Sequence, residues 1–171
     1  MGMDVIGRKP TNEVGEYFRN NVWYWRPLWD YCNTIAPDLC EGVNGHYNDG
    51  EGLNAADAIK LAEILFSQLE SGETARYETE YREVLANLPR HNCVWCHGTG
   101  VRNDEIGVSM GMPTRELDEA ISLVVGRTHG YCNGCNGEGV ENDWMTNYPF
   151  DVENVREFAN FLRHSGGFQI W

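Results

Sequence analysis

The sequence predicts an α+β fold: a mainly helical single domain over residues 1–171, with a small terminal sheet and a four-cysteine zinc knuckle pair. Three observations predict it. Apolar residues recur at helical spacing in several segments. Short apolar stretches open and close the chain, and the pattern Cys-x-x-Cys-x-Gly-x-Gly occurs twice, over residues 93–100 and 132–139.

Taken in chain order, Val5-Ile6 predicts a strand that pairs with Phe168-Gln169-Ile170-Trp171, both as edge strands. Pro27 predicts the opening of a helix through Leu28, Tyr31, Cys32 and Ile35 that ends before Pro37, because proline's fixed φ suits a first helical position. Asn54 caps a helix whose Ile59, Ala62, Leu65, Phe66 and Leu69 share one face, with Gly72 at its end. Thr74 starts a second helix carrying Tyr77, Tyr81, Val84, Leu85 and Leu88, and Pro89 stops it. Between the two cysteine patterns, Thr114 precedes Leu117, Ala120, Ile121 and Val124, which predicts a helical insert clasped by the metal site. Asp151 caps a last helix bearing Val152, Val155, Ala159 and Leu162, terminated by Gly166.

Composition narrows the function classes. A chain of 171 residues buries about 70 % of its unfolded surface, enough for one core. No apolar run reaches the ~18 residues of a membrane span, and the first residues lack a secretory signal, so the expected location is the cytoplasm. The formal net charge is −13, from 26 acidic and 13 basic residues, which opposes direct binding to a phosphate backbone. The acidic clusters near Glu70 to Glu83, Glu116 to Glu119 and Glu138 to Asp143 suit solvated faces, or a surface that engages a basic partner.

The strongest chemical signal is the repeat. A Cys-x-x-Cys turn sets two thiolates on one side of a tight knuckle, and two knuckles supply the four soft ligands of a tetrahedral zinc. Cys93, Cys96, Cys132 and Cys135 are therefore the expected ligands of one zinc per chain. The matched glycines let the backbone turn back beside the metal. Three rival readings stand beside this one. Cys93 to His97 also satisfies the haem-attachment pattern, but that leaves the second knuckle unexplained. A redox dithiol expects a strand and a helix around the motif, where both knuckles run into glycine-rich polar sequence. Structural disulfides do not suit a cytosolic setting.

The repeat resembles the cysteine-rich zinc module of DnaJ-type chaperones, in which such units pair to hold each zinc. The resemblance covers residues 93–139, and its two units imply one zinc. The segment between the units is longer than that module's hairpins. No His-Pro-Asp tripeptide occurs, so the resemblance does not carry over a co-chaperone activity. A second resemblance rests on Gly15-Glu16-Tyr17-Phe18-Arg19-Asn20-Asn21, Trp25-Arg26-Pro27-Leu28-Trp29, Gly45-His46-Tyr47-Asn48-Asp49-Gly50 and Ser165-Gly166-Gly167-Phe168. These runs resemble a group of small proteins of tailed bacteriophages without an assigned activity. That likeness implies a phage origin and the host cytoplasm.

Outside the metal site, Trp25, Arg26 and Trp29 lie in an aromatic stretch that suits either a core corner or a recognition surface. His46 and Asp49 can form an acid/base pair, although Asn48-Asp49-Gly50 is also an ordinary turn. Cys32 and Cys40 read as small buried thiols. No recognised catalytic fingerprint appears, and four cysteines leave zinc no open position. The function expected is a noncatalytic, zinc-stabilised protein that binds a host or phage protein, in host takeover or anti-defence. Two alternatives stay open: a DnaJ-like zinc chaperone or dithiol module, and a small-molecule-binding protein or enzyme using His46, Asp49 and Arg26.

Overall fold

The structure, a computed structural model, describes residues 2–171. In chain order its elements are β1 (Gly2–Gly7), β2 (Tyr17–Asn21), α1 (Val22–Ile35), α2 (Pro37–Cys40), α3 (Ala55–Ser71), α4 (Glu73–Ala86), β3 (His91–Asn92), α5 (Glu105–Ser109), α6 (Glu119–Val125), β4 (Val140–Glu141), α7 (Val152–Ser165) and β5 (Phe168–Ile170), with three short 3-10 turns between them. This is an α+β fold, mainly helical. The chain divides into two compact units. Unit 1 runs to Ala86 and resumes at Asn147–Trp171, and unit 2 is Asn87–Thr146. The sequence reading treats 1–171 as one domain and gives no sign of this division.

Unit 1 is built on an antiparallel sheet of order β2-β1-β5. Val5 pairs with Phe18 on one side and Ile170 on the other, so β1 is the central strand rather than an edge. Alternation sends Met3, Val5, Phe18, Phe168 and Ile170 into the core. Against them packs α7, whose Val155, Phe158, Ala159, Phe161 and Leu162 are buried. The capping residues act as their chemistry requires: Asp151 accepts the Asn154 N–H, and Gly166 closes α7 in the left-handed region.

Helix α3 begins at Asn54, which accepts the Asp57 N–H at 3.0 Å, and ends at left-handed Gly72. Its buried face is Ala58, Leu61, Ala62 and Leu65. Of the predicted face, Ala62 and Leu65 are buried and Phe66 and Leu69 pack partly buried against the core, while Ile59 is exposed. Helix α4 follows at once and lies mostly at the surface. It contributes Thr74, whose hydroxyl meets the Tyr31 hydroxyl at 3.0 Å, and the rings of Tyr77 and Tyr81 against Tyr31 and Phe150.

Two expectations for α1 are corrected. The helix starts at Val22, capped by the Asn21 side chain on the Tyr24 N–H, and Pro27 sits inside it. Proline at that place cannot donate to the Trp23 carbonyl, a loss that burial of the helix outweighs. Trp25 and Trp29 are 0 % and 1 % exposed, stacked at 5.8 Å, and Trp25 donates its indole N–H to the Gly45 carbonyl at 2.6 Å. They are core residues. The recognition surface expected of them is therefore withdrawn.

In unit 2, β3 and β4 form a two-stranded ladder, His91 opposite Glu141 and Asn92 opposite Val140. The predicted helical insert is corrected in its start. Leu117 lies before the helix, donating its N–H to the Thr128 carbonyl, and Asp118 caps a short α6 by accepting the Ile121 N–H at 2.8 Å. Asp118 is the better cap because its carboxylate reaches the third helical N–H, and it overrides the apolar spacing upstream. A second short helix, α5, precedes it.

Candidate metal centre

Each knuckle turns the chain so that its two sulfurs point inward. After Cys96 the backbone passes through His97 (φ 51°) and Gly98 (φ 89°), and after Cys135 through Asn136 (φ 50°) and Gly137 (φ 78°). The turn then delivers an N–H to sulfur: Gly100 donates to Cys96 and Gly139 to Cys135, both at 3.2 Å.

The knuckles face each other as equivalents. The Cys93 N–H donates to the Gly139 carbonyl and the Cys132 N–H to the Gly100 carbonyl, each at 2.9 Å. The last glycines are required by this approach. A Cβ on Gly100 would lie 2.3 Å from the Gly137 carbonyl oxygen, and one on Gly139 would lie 2.4 Å from that of Gly98. Both glycines also hold positive φ, where side chains are strained.

The four sulfurs lie within 4.8 Å of one another, and all four cysteines are buried. Cys93 and Cys132 approach to 3.7 Å, as do Cys96 and Cys135. A metal–sulfur bond of about 2.3 Å in a tetrahedron implies an edge of about 3.8 Å, and a disulfide would require about 2.05 Å. The donor set and its spacing fit a four-coordinate thiophilic ion. His97 is exposed, outside the sulfur cluster.

The sulfurs differ electrostatically. Burial, and then the Glu141 carboxylate, push the Cys93 thiol well above its ordinary value; Cys93 Sγ donates to Glu141 Oε1 at 2.8 Å. At Cys96, burial also works upward, but the Gly100 N–H and the sulfurs of Cys135 and Cys93 bring the thiol down to about 7.

The other expected site residues do not assemble. His46 Nε2 meets Asp30 Oδ1 at 3.0 Å, so its carboxylate partner comes from α1 and not from Asp49. Asp49 accepts the Glu51 N–H at 3.1 Å, which is the turn geometry. Arg26 lies over the Tyr148 ring, 5.6 Å from its centroid, and donates to the Tyr148 hydroxyl at 3.4 Å. Cys32 and Cys40 are buried in the core of unit 1, where burial raises the first well above its ordinary value and the second to about 11. They are protonated, inert thiols.

Sequence reasoning missed Glu141, whose carboxylate meets Cys93, and Arg102, which stacks on Trp95 and donates to Asn133 beside Cys132. Both stand two residues beyond the last glycine of their knuckle, at matched positions of the repeat. Compared with known proteins, the chain matches no family model, no curated protein and no solved structure. The likeness to the DnaJ-type module and to phage proteins thus rests on motif residues alone. Among the described residues, no helix is long and apolar enough to cross a membrane.

Proposed function

We propose that unit 2 is a zinc-stapled binding module and that the protein acts noncatalytically, by holding another protein. The observation that carries the zinc reading is the buried set of four sulfurs within 4.8 Å of one another, two of its pairs at 3.7 Å, since four thiolates complete a zinc shell and leave no position for substrate or water. Such a centre contributes folding energy rather than chemistry. One zinc per chain is expected from elemental analysis of protein purified under reducing conditions. Iron in place of zinc would overturn the metal assignment, since four thiolates also suit that ion. Two zincs, or none, would overturn the site itself.

The binding role is supported by α6. This helix half-buries Ile121, Ser122 and Val125, while Leu123 and Val124 are 79 % and 83 % exposed. An apolar pair standing outward on a helix suits contact with a partner. The resemblance to phage proteins makes a host factor, engaged in takeover or anti-defence, the proposed class of partner. The double variant Leu123→Asp/Val124→Asp should keep its zinc and its melting temperature, because exposed substitutions typically change stability by less than about 0.5 kcal/mol. It should lose partner capture. Undiminished capture would remove α6 from the binding surface.

A further inference from the structure

Helix α6 carries the outward apolar pair of unit 2, and the residue that follows it is built into the metal centre. The segment around α6 is closed where the Leu117 N–H donates to the Thr128 carbonyl at 3.0 Å and the Gly130 N–H to the Arg115 carbonyl at 2.9 Å. The helix itself stops at Gly126, whose φ of 67° lies in the left-handed region and turns the chain back. The next residue is Arg127. Its guanidinium donates from Nη1 to the Thr99 carbonyl at 3.0 Å and from Nη2 to the Gly137 carbonyl at 3.4 Å.

Those two carbonyls belong to different knuckles. Each lies on a turn that wraps a cysteine: the Thr99 N–H donates to the Cys96 carbonyl and the Gly137 N–H to the Cys132 carbonyl, both at 3.0 Å. Main-chain bonds join the knuckles at Cys93 and Gly139 and again at Cys132 and Gly100, and the guanidinium ties them at a third place. It lies close against the backbone there, since a Cβ on Gly100 would stand 2.8 Å from Arg127 Nη2 and 3.0 Å from Nη1. Val125, in the last turn of α6, rests on the second knuckle, because a Cβ on Gly137 would stand 2.6 Å from its Cγ1. Arg90 and Arg102 of the same unit hold the carboxylates of Glu138 and Asp104, whereas the Arg127 fork is directed at main-chain oxygen. A planar set of fixed N–H donors suits a span between two carbonyls better than a single ammonium does.

We infer that Arg127 is a positioning residue that ties the hold on the metal ion to helix α6. By keeping Thr99 and Gly137 on one guanidinium, it keeps the two cysteine pairs at one ion. Because it follows α6 directly, loosening of that helix slackens both knuckles, and a partner protein seated on Leu123 and Val124 that steadies the helix slows loss of the ion. The coupling is reciprocal, so the filled centre steadies the surface that the partner meets. This inference rests on the zinc reading and on α6 as the binding helix, and it gives that surface a means of regulation.

The test uses the full chain loaded with zinc and a chromogenic chelator that reports zinc as it leaves. One zinc per wild-type chain is the starting point, and its absence would sink the zinc reading together with the coupling. Arg127→Gln should lower zinc affinity roughly 10–100-fold, the usual cost of losing a group that orients metal ligands. Arg127→Lys, which keeps a donor but loses the fork, should fall between that variant and the wild type. Arg115→Gln lies in the same segment, with its guanidinium on the Met112 sulfur at 4.0 Å, and should match the wild type. The deciding comparison is a double-mutant cycle with Asp118→Ala, which removes the cap at the far end of α6. Loss of the cap should speed zinc release several-fold in the wild type and add nothing in Arg127→Gln, a non-additivity that merely structural roles at two separate sites do not give. Equal factors in the two backgrounds would overturn the inference, as would Arg127→Gln that holds zinc like the wild type or Arg115→Gln that loses it as readily. Should Arg127→Gln fail to fold, the same cycle on Arg127→Lys decides, with a diminished cap effect supporting the coupling and an undiminished one refuting it. The Leu123→Asp/Val124→Asp variant keeps the two readings apart: partner capture that survives it removes α6 as the binding helix, while the zinc-release cycle still reports on Arg127.

Discussion

Unit 1 buries an extended set of apolar side chains around Trp25, Trp29, Phe158 and Phe168, whereas the buried cluster of unit 2, among the described residues, consists of Cys93, Cys96, Cys132 and Cys135. The difference follows from what each stretch of sequence has to bury. Unit 1 gathers two amphipathic helices, α3 and α7, on a sheet whose strands alternate inward and outward residues, and burial of that kind contributes about 25 cal/mol per Å² of apolar surface. Unit 2 has roughly 60 residues, two helices shorter than two full turns or close to it, and several apolar side chains turned outward. A segment of that size rarely has a sufficient core and requires a staple such as a metal or disulfides. The comparison teaches that unit 1 is held by many apolar contacts, whereas unit 2 gathers four cysteines that could hold a metal ion where such contacts are few.

Removing the metal is the most severe way to break the comparison. A chelator under reducing conditions should unfold unit 2, because structural zinc in small modules is worth an apparent ~10–16 kcal/mol. Residue-resolved hydrogen exchange reads it. Amides of residues 93–100 and 132–139 should lose protection while those of α3 and α7 keep theirs. Loss of protection in α3 and α7 as well would mean that the two units are not held separately.

The converse change strikes unit 1. Trp25→Ala removes a fully buried ring together with its N–H bond to Gly45, and should cost about 3–5 kcal/mol in denaturant unfolding. Metal content per folded chain should not change. A loss below about 1 kcal/mol would contradict the core assignment.

A finer probe compares two glycines. Gly72 and Gly139 both hold positive φ, at 82° and 81°, so alanine strains each by about 1–2 kcal/mol. A Cβ on Gly72 meets nothing within 4 Å, whereas one on Gly139 meets backbone of the facing knuckle. Gly72→Ala should therefore lower stability slightly and leave metal affinity alone, while Gly139→Ala should weaken metal binding in a chelator competition. Equal metal affinities would show that the facing knuckle yields without cost.

Much of the fold is legible in the sequence where the deciding interaction spans a few residues. Asn54 and Asp151 start their helices and Gly72 and Gly166 end theirs because a cap is a contact between near neighbours. Strand β2 was not legible. Its Tyr17 to Asn21 reads as polar and aromatic without a partner, and it becomes a strand by pairing with β1 across an intervening turn. The start of α1 was obscured by Pro27, whose usual place at a helix opening is a preference that burial of Trp25 and Trp29 overrides. Of the face that apolar spacing predicted around α6, Leu117 is buried and Ile121 half-buried, while Ala120 and Val124 are exposed.

For the metal centre, the sequence by itself determined the four sulfur ligands and the glycines beside them, since a three-residue spacing and a positive φ are properties of a local turn. Tertiary structure alone decided what stands opposite each group. His46 finds Asp30 rather than the nearby Asp49, and Cys93 finds Glu141 while Arg102 reaches Asn133, the neighbour of Cys132. The physical reason is that charge acts through distance in space. Two residues far apart in the chain become neighbours only when the ladder and the crossed knuckles bring their strands together.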